Sequence, residues 1–257
     1  MINEGPDFLG IGVARSGTTT AYKVLKGHPD IYMPDQKELH FFTFVQQPYL
    51  DQPDTIASME QRYRDRFAPK GVRIGGEISP SYFYFPGAAT KIHTFNPHIK
   101  LFCILRNPVD RALSDFYYSG LNKKVEPEEF FMQGIRDLQN NRLVLKPFSP
   151  STVLYKGFYR YHVASYVNQF PDTQLLFLSF DLLKNDIETF FQKLFTFLGV
   201  QTKLENVIAS ENAASYPQQA DNKKVRELLE KFYQEETGFF EEFTENQDKV
   251  YQLVNRS

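Results

Sequence analysis

The chain has 257 residues, 42% of them hydrophobic, with a formal net charge of −2 and a single cysteine. That length and apolar content suffice for one domain with a full core, while the near-zero charge excludes any general attraction to nucleic acid or an anionic membrane. A lone Cys103 excludes an internal disulfide and points to a reducing compartment, and no apolar run reaches the roughly 18 residues that span a bilayer. Met1-Ile2-Asn3-Glu4-Gly5-Pro6 does not read as a signal peptide, so a cytoplasmic location is expected.

The first predicted strand, 7–13, runs into Ala14-Arg15-Ser16-Gly17-Thr18-Thr19-Thr20 and then a helix. Against the phosphate-loop pattern G-x-x-x-x-G-K-[ST], Gly12 and Gly17 fall in register, Thr18 stands in the lysine slot, and the cation moves to Arg15. A strand-to-helix turn aims backbone N–H groups and the positive end of the helix dipole at an anion. Without the triphosphate lysine, the loop suits a nucleotide with a shorter phosphate arm. The competing reading is an ordinary turn with a Ser or Thr N-cap.

Lys37-Glu38-Leu39-His40-Phe41-Phe42 follows, and a second strand at 72–77 ends in Glu77-Ile78-Ser79-Pro80-Ser81-Tyr82. Lys37, His40 and Glu77 are bordered by aromatic residues that would exclude water. Taken singly, His40 reads as a packed histidine and Glu77 as a surface or capping carboxylate. The strand at 99–105 is followed by Arg106, then Asn107 as N-cap and Pro108 at the first helical position. Arg106 therefore stands at a strand's carboxyl end, where open α/β sheets bind ligands, with Ser114 two helical turns beyond. Together they could hold a second anion; alternatively, Arg106 caps the helix or pairs with Asp110.

A fourth strand is expected at 174–180. Apolar residues at 187, 190, 191, 194, 195 and 198 before Gly199 predict a helix over 186–198 with a glycine C-cap, and Phe190, Phe191 and Phe195 as core. Charged helices follow at 221–234 and 238–253. Stretches 43–58 and 146–152 are expected to be loops that could cover an acceptor. Strands alternating with helices predict a three-layer α/β fold, a central parallel sheet with helices on both faces and a P-loop-like turn, forming one domain over 1–257. No His/Cys/Asp cluster has metal-ligand spacing, so no metal is expected. Lys123-Lys124 and Lys223-Lys224 read as solvated, which leaves no basic track for a polyanion and favours a small-molecule acceptor.

This combination resembles the sulfotransferases that use 3′-phosphoadenosine-5′-phosphosulfate (PAPS). Arg15-Ser16-Gly17-Thr18-Thr19 is similar to the family's 5′-phosphosulfate loop, and Leu105 to Ser114 is similar to its 3′-phosphate motif. Lys37 to Phe42 and Gly76 to Tyr82 resemble the bacterial and glycosaminoglycan-modifying branch. Gly157-Phe158-Tyr159, Phe170-Pro171 and Asn212 to Pro217 extend the likeness over about 8–243. Four features depart from the pattern. Arg15 replaces a lysine, Thr20 stands where the phenol-modifying branch has a tryptophan, Ile78 stands where heparan-modifying relatives have a lysine, and Ser210 to Gln219 lacks basic residues.

The resemblance implies transfer of a sulfuryl group from PAPS to a hydroxyl, with an amine second, releasing 3′-phosphoadenosine-5′-phosphate (PAP). It implies that Arg15, Ser16, Gly17, Thr18, Thr19 and Thr20 hold the phosphosulfate, that Arg106 and Ser114 hold the 3′-phosphate, and that Tyr159 contacts the cofactor. Glu77 becomes the leading general base and His40 the next. Lys37 would meet the transferring group or orient a carboxylate, and Arg15 would stabilise the departing oxygen. No metal is implied, and association with a biosynthetic pathway or synthase would fit. The rivals are a magnesium-dependent ATP kinase and a non-catalytic adenine-nucleotide-binding module.

Overall fold

The computed structural model describes residues 5–43, 56–67, 74–201, 222–245 and 250–254. Five parallel strands lie in the order β2-β3-β1-β4-β5, with β1 Phe8–Gly12, β2 Ile31–Tyr32, β3 Ile74–Ile78, β4 Lys100–Leu105 and β5 Leu175–Ser179. The two-residue edge strand β2 has no counterpart in the sequence reading, because so short a run carries no alternation. Val72 and Arg73 lie outside the described residues, as does all of 210–219 with the Asn212 to Pro217 match.

Side chains of β1 and β4 point alternately to the two faces. Leu9, Ile11, Leu101, Cys103 and Leu105 join one core, and Phe8, Phe102 and Ile104 the other. Helix α1 (Thr18–Lys26) and helix Ile187–Leu198 cover the second face through Val24, Leu25, Phe190, Phe191 and Phe195. Helices α2 (Ile56–Asp65), α3 (Ala88–Phe95) and Tyr159–Val167 contribute Tyr63, Ile92, Val163 and Tyr166 to the first. Burying both faces of a sheet requires the near-continuous apolar strands seen here. Gly10 lets the layers close, since a Cβ there would stand 2.7 Å from the Phe102 ring and 2.8 Å from Ile78.

A third cluster joins α4 (Pro108–Tyr118), α5 (Pro127–Gln139), α6 (Pro150–Tyr155) and the helix Lys223–Phe232. Several expected boundaries shift. Residues 150–152 open α6, because Ser149 caps that helix and Pro150 occupies its first position, leaving a loop only up to 149. Of the expected loop 43–58, residues 44–55 lie outside the described residues and 56–58 already belong to a helix. The helix expected from 238 begins at Gln234 and runs through Gly238 to Glu245. Phe180 starts a helix instead of ending β5, because the Ser179 hydroxyl caps Asp181 and Leu182.

From β1 the chain crosses toward β2, and from β4 toward β5. The carboxyl ends of these adjacent strands therefore form a topological switch point, where the connections diverge and leave a crevice.

Candidate active site

At that crevice the loop after β1 leads into α1, whose N-cap Gly17 is left-handed (φ 80°) and whose first turn has neither a capping side chain nor an acidic residue. A Cβ at Gly17 would lie 2.3 Å from Leu183, so close packing as well as positive φ selects glycine. The positive end of α1 is thus open to an anion. The Ser16 hydroxyl is fully buried in this loop with no hydrogen-bond partner among the described residues, so it could donate to a phosphate oxygen. Thr18 is buried and Thr19 exposed, with Thr20 between them. These residues fit a phosphate-bearing cofactor.

Arg106, at the end of β4, donates from Nη1 to the Arg15 carbonyl at 2.9 Å, and Arg15 donates from Nε to Ser114 Oγ at 3.3 Å. Each guanidinium also lies over an aromatic ring, Arg15 3.7 Å from the centre of Tyr118 and Arg106 4.8 Å from that of Phe180. No carboxylate among the described residues salt-bridges either arginine, and Asp110, the alternative partner, pairs with Arg226 at 3.0 Å. Burial lowers the pKa of both guanidiniums. Asp115 acts on Arg15 and Asp110 on Arg106 only at longer range, and two partly desolvated cations that no described carboxylate salt-bridges favour an anionic ligand. Tyr159 is buried and donates its hydroxyl to the Arg106 carbonyl at 2.7 Å, so its contact with this site runs through Arg106.

On α4 the Asp115 carboxylate carries two buried cations, Lys156 at 2.8 Å and Arg111 at 3.4 Å. Neither Asp115 nor Lys156 stood out in the sequence. Lys156 lies 72 positions after Tyr84 and 41 after Asp115, a pairing that no local periodicity encodes.

Glu77, in β3 beside Leu9 of β1, is fully enclosed. Its Oε1 accepts from Tyr63 at 2.9 Å and Tyr82 at 2.5 Å; its Oε2 accepts from Ser79 at 2.7 Å and the Leu39 amide at 3.2 Å. Burial raises its pKa against the opposing pull of those four donors. Glu77 is neither a surface nor a capping carboxylate.

Ser79 also accepts from the His40 amide at 3.0 Å, which brings the two candidate bases together. The His40 ring faces Ser81 at 2.7 Å through Nδ1 and Glu38 at 3.4 Å through Nε2. Lys37 pairs with the other oxygen of Glu38. Burial would raise the Glu38 carboxyl, yet the hydrogen bonds from His40 and Lys37 prevail and hold it at about 2. Arg15, Glu38 and His40 all have positive φ (72°, 62° and 55°), so non-glycine strain is concentrated at this edge, as it is at functional sites. Glu38 was passed over in sequence because a carboxylate beside a lysine looks like any solvated pair.

A parallel sheet with a P-loop-like turn after its central strand, a second cationic corner after the next and helices on both faces defines a three-layer protein of the α/β class. The chain belongs to the sulfotransferase family, since residues 5–249 match the family model for the sulfotransferase domain. Among curated relatives, mouse heparan sulfate glucosamine 3-O-sulfotransferase 3A1 is 28% identical over 207 residues, covering 78% of this chain and 48% of the relative. Membrane-associated sulfotransferase kil1 of Dictyostelium discoideum is 31% identical over 114 residues, 44% of this chain and 23% of that protein. The chain therefore spans about half the length, or less, of these curated relatives. A solved sulfotransferase from Alicyclobacillus acidocaldarius superposes with a TM-score of 0.70 at 25% identity, covering 98% of this chain and 96% of that one. The sulfotransferase domain of the curacin biosynthetic pathway shares the fold, with a TM-score of 0.56 at 15% identity over 86% and 82% of the two chains.

Proposed function

We propose that this chain transfers a sulfuryl group from PAPS to a hydroxyl, with an amine as the second choice. The observation that carries this reading is a pair of guanidiniums that no described carboxylate salt-bridges, Arg106 bonded to the Arg15 carbonyl and Arg15 to Ser114, beside the uncapped end of α1. Arg15, Ser16 and the amides of Gly17 to Thr20 would hold the 5′-phosphosulfate, and Arg106 with Ser114 the 3′-phosphate. The acceptor oxygen attacks sulfur, the bond from sulfur to the 5′-phosphate oxygen breaks, and Arg15 with the loop amides stabilises the charge that develops there.

Glu77 is the proposed base. Burial raises its pKa toward the working range of a general base. All its acceptor positions are used, so an acceptor hydroxyl must take the place of Ser79 or the Leu39 amide on Oε2, which requires segment 37–42 to shift. His40, tied to the same Ser79, is the alternative proton acceptor, and Lys37 with Glu38 fixes its ring. No described helix is long and apolar enough to cross a membrane. A cytoplasmic setting belongs to this proposal, supported by a single buried thiol that burial keeps protonated.

PAP binding tests the reading. At about 100 times its dissociation constant a native-state ligand adds about 2.7 kcal/mol, a melting shift of about 5–10 °C for a chain of this size. PAP is expected to produce it and ATP with magnesium is not; the reverse would indicate a kinase.

A further inference from the structure

The loop between α5 and α6 presents three exposed apolar side chains, Val144, Leu145 and Phe148, at 43%, 38% and 37% of full exposure. The loop is tightly held. The Val144 carbonyl accepts from the Ser149 hydroxyl at 2.7 Å, the Lys146 amide at 2.8 Å and the Thr152 hydroxyl, and the Val144 amide donates to Ser151 at 3.1 Å. Phe148 has φ 62°, a left-handed conformation that a bulky residue adopts only when its surroundings impose it. Glycine would be the relaxed choice there. The strained backbone instead carries an aromatic ring half in solvent.

That ring borders the active site. The Lys156 ammonium lies 5.7 Å from the centre of Phe148 and 5.4 Å from that of Tyr84, while it salt-bridges Asp115 beside Ser114. Tyr84 packs beside Lys156, and its phenol, raised to about 12 first by burial, also feels Asp115, Arg111 and Glu38. Tyr118, exposed to solvent, covers Arg15 beside Ser114. Two partly exposed aromatic rings, Phe148 and Tyr118, thus adjoin the Lys156–Asp115 pair and Arg15.

Resting on the sulfuryl-transfer reading, we propose that Phe148 binds the body of the acceptor, and that the acceptor is an alcohol or phenol with an aryl or alkyl body and not a polyanionic saccharide. On this proposal, binding by the ring is what retains a bulky residue in a left-handed conformation.

The test uses the full chain, PAPS and two acceptor probes, a 4-alkylphenol series and heparan sulfate, with Phe148→Gly and Phe148→Tyr as variants. Each added methylene that the rim buries is expected to raise kcat/KM about three- to fourfold in the unaltered protein. Phe148→Gly should raise KM for the longest phenol about tenfold or more and flatten the chain-length dependence. Its melting temperature should hold or rise, because glycine relieves the left-handed backbone. Phe148→Tyr should restore the dependence. A merely structural loop would instead lose stability and activity together, without regard to acceptor length, and that outcome overturns the proposal. A protein that binds PAP yet turns over none of the phenols, or prefers heparan sulfate, overturns the acceptor class alone. Failure to bind PAP overturns the sulfuryl-transfer reading beneath it.

Discussion

Arg15 Nε stands 3.3 Å from Ser114 Oγ, so two residues 99 positions apart are already in contact across the crevice between β1 and β4. One follows β1 and the other lies in the second turn of α4. An anion held by Ser114 and one held by Arg15 would therefore be close neighbours, as the 3′- and 5′-phosphates of one nucleotide are.

Arg106→Ala removes the guanidinium on the 3′-phosphate side. The loss of a charge-assisted hydrogen bond is worth about 1.5–3 kcal/mol, so PAP should bind about 10- to 150-fold more weakly. The preference for PAP over adenosine 5′-phosphate should vanish. Because Arg106 also donates to the Arg15 carbonyl, circular dichroism must first show an intact fold. A folded variant that still discriminates the 3′-phosphate would place that site elsewhere.

Glu77→Gln keeps size but turns one acceptor into an NH₂ donor facing either the two phenols or Ser79 and Leu39. One buried unsatisfied contact costs about 1–3 kcal/mol, so the melting temperature should fall modestly. If Glu77 is the base, kcat should drop by about 10² to 10⁴ while PAP affinity stays nearly constant. His40→Ala should cost less. An exchange of those two magnitudes, read from steady-state kinetics, would assign the proton to His40.

Glu38 governs an acid-sensitive share of stability. Its carboxyl lies near 2 in the folded protein against 4.5 for the free group, so its contribution is complete above about pH 4.5 and disappears as pH falls toward 2. The side chain is 38% exposed, and solvent screening reduces the effect to about 1–2 kcal/mol. Chemical unfolding between pH 2 and 6 should show a shallower pH dependence for Glu38→Gln. Parallel profiles for variant and parent would remove Glu38 from that role.

Elements carried by local pattern were legible from the residues alone. Asn107 and Pro108 start α4, Asp186 and Gly199 bracket the helix Ile187–Leu198, and the apolar runs around Leu9 and Leu101 form central strands, because capping and periodicity act over a few residues. Glu77, Lys37 and His40 could be singled out only with the help of the family resemblance. Singly, each residue type has commoner duties, and their shared tie through Ser79 and Glu38 spans some 40 positions.

By itself the sequence determined the layer architecture and the two strand-turn-helix units that carry Arg15 and Arg106, since each unit rests on neighbours close in the chain. Only the tertiary structure decided that Arg15 and Arg106 lack a carboxylate partner among the described residues, that Glu77 is enclosed by four donors, and that Lys156 shares Asp115 with Arg111. It also decided that Phe148 overhangs Lys156. Counter-ion distance, burial and strain are properties of segments brought together from opposite ends of the chain, and local propensity holds no record of them.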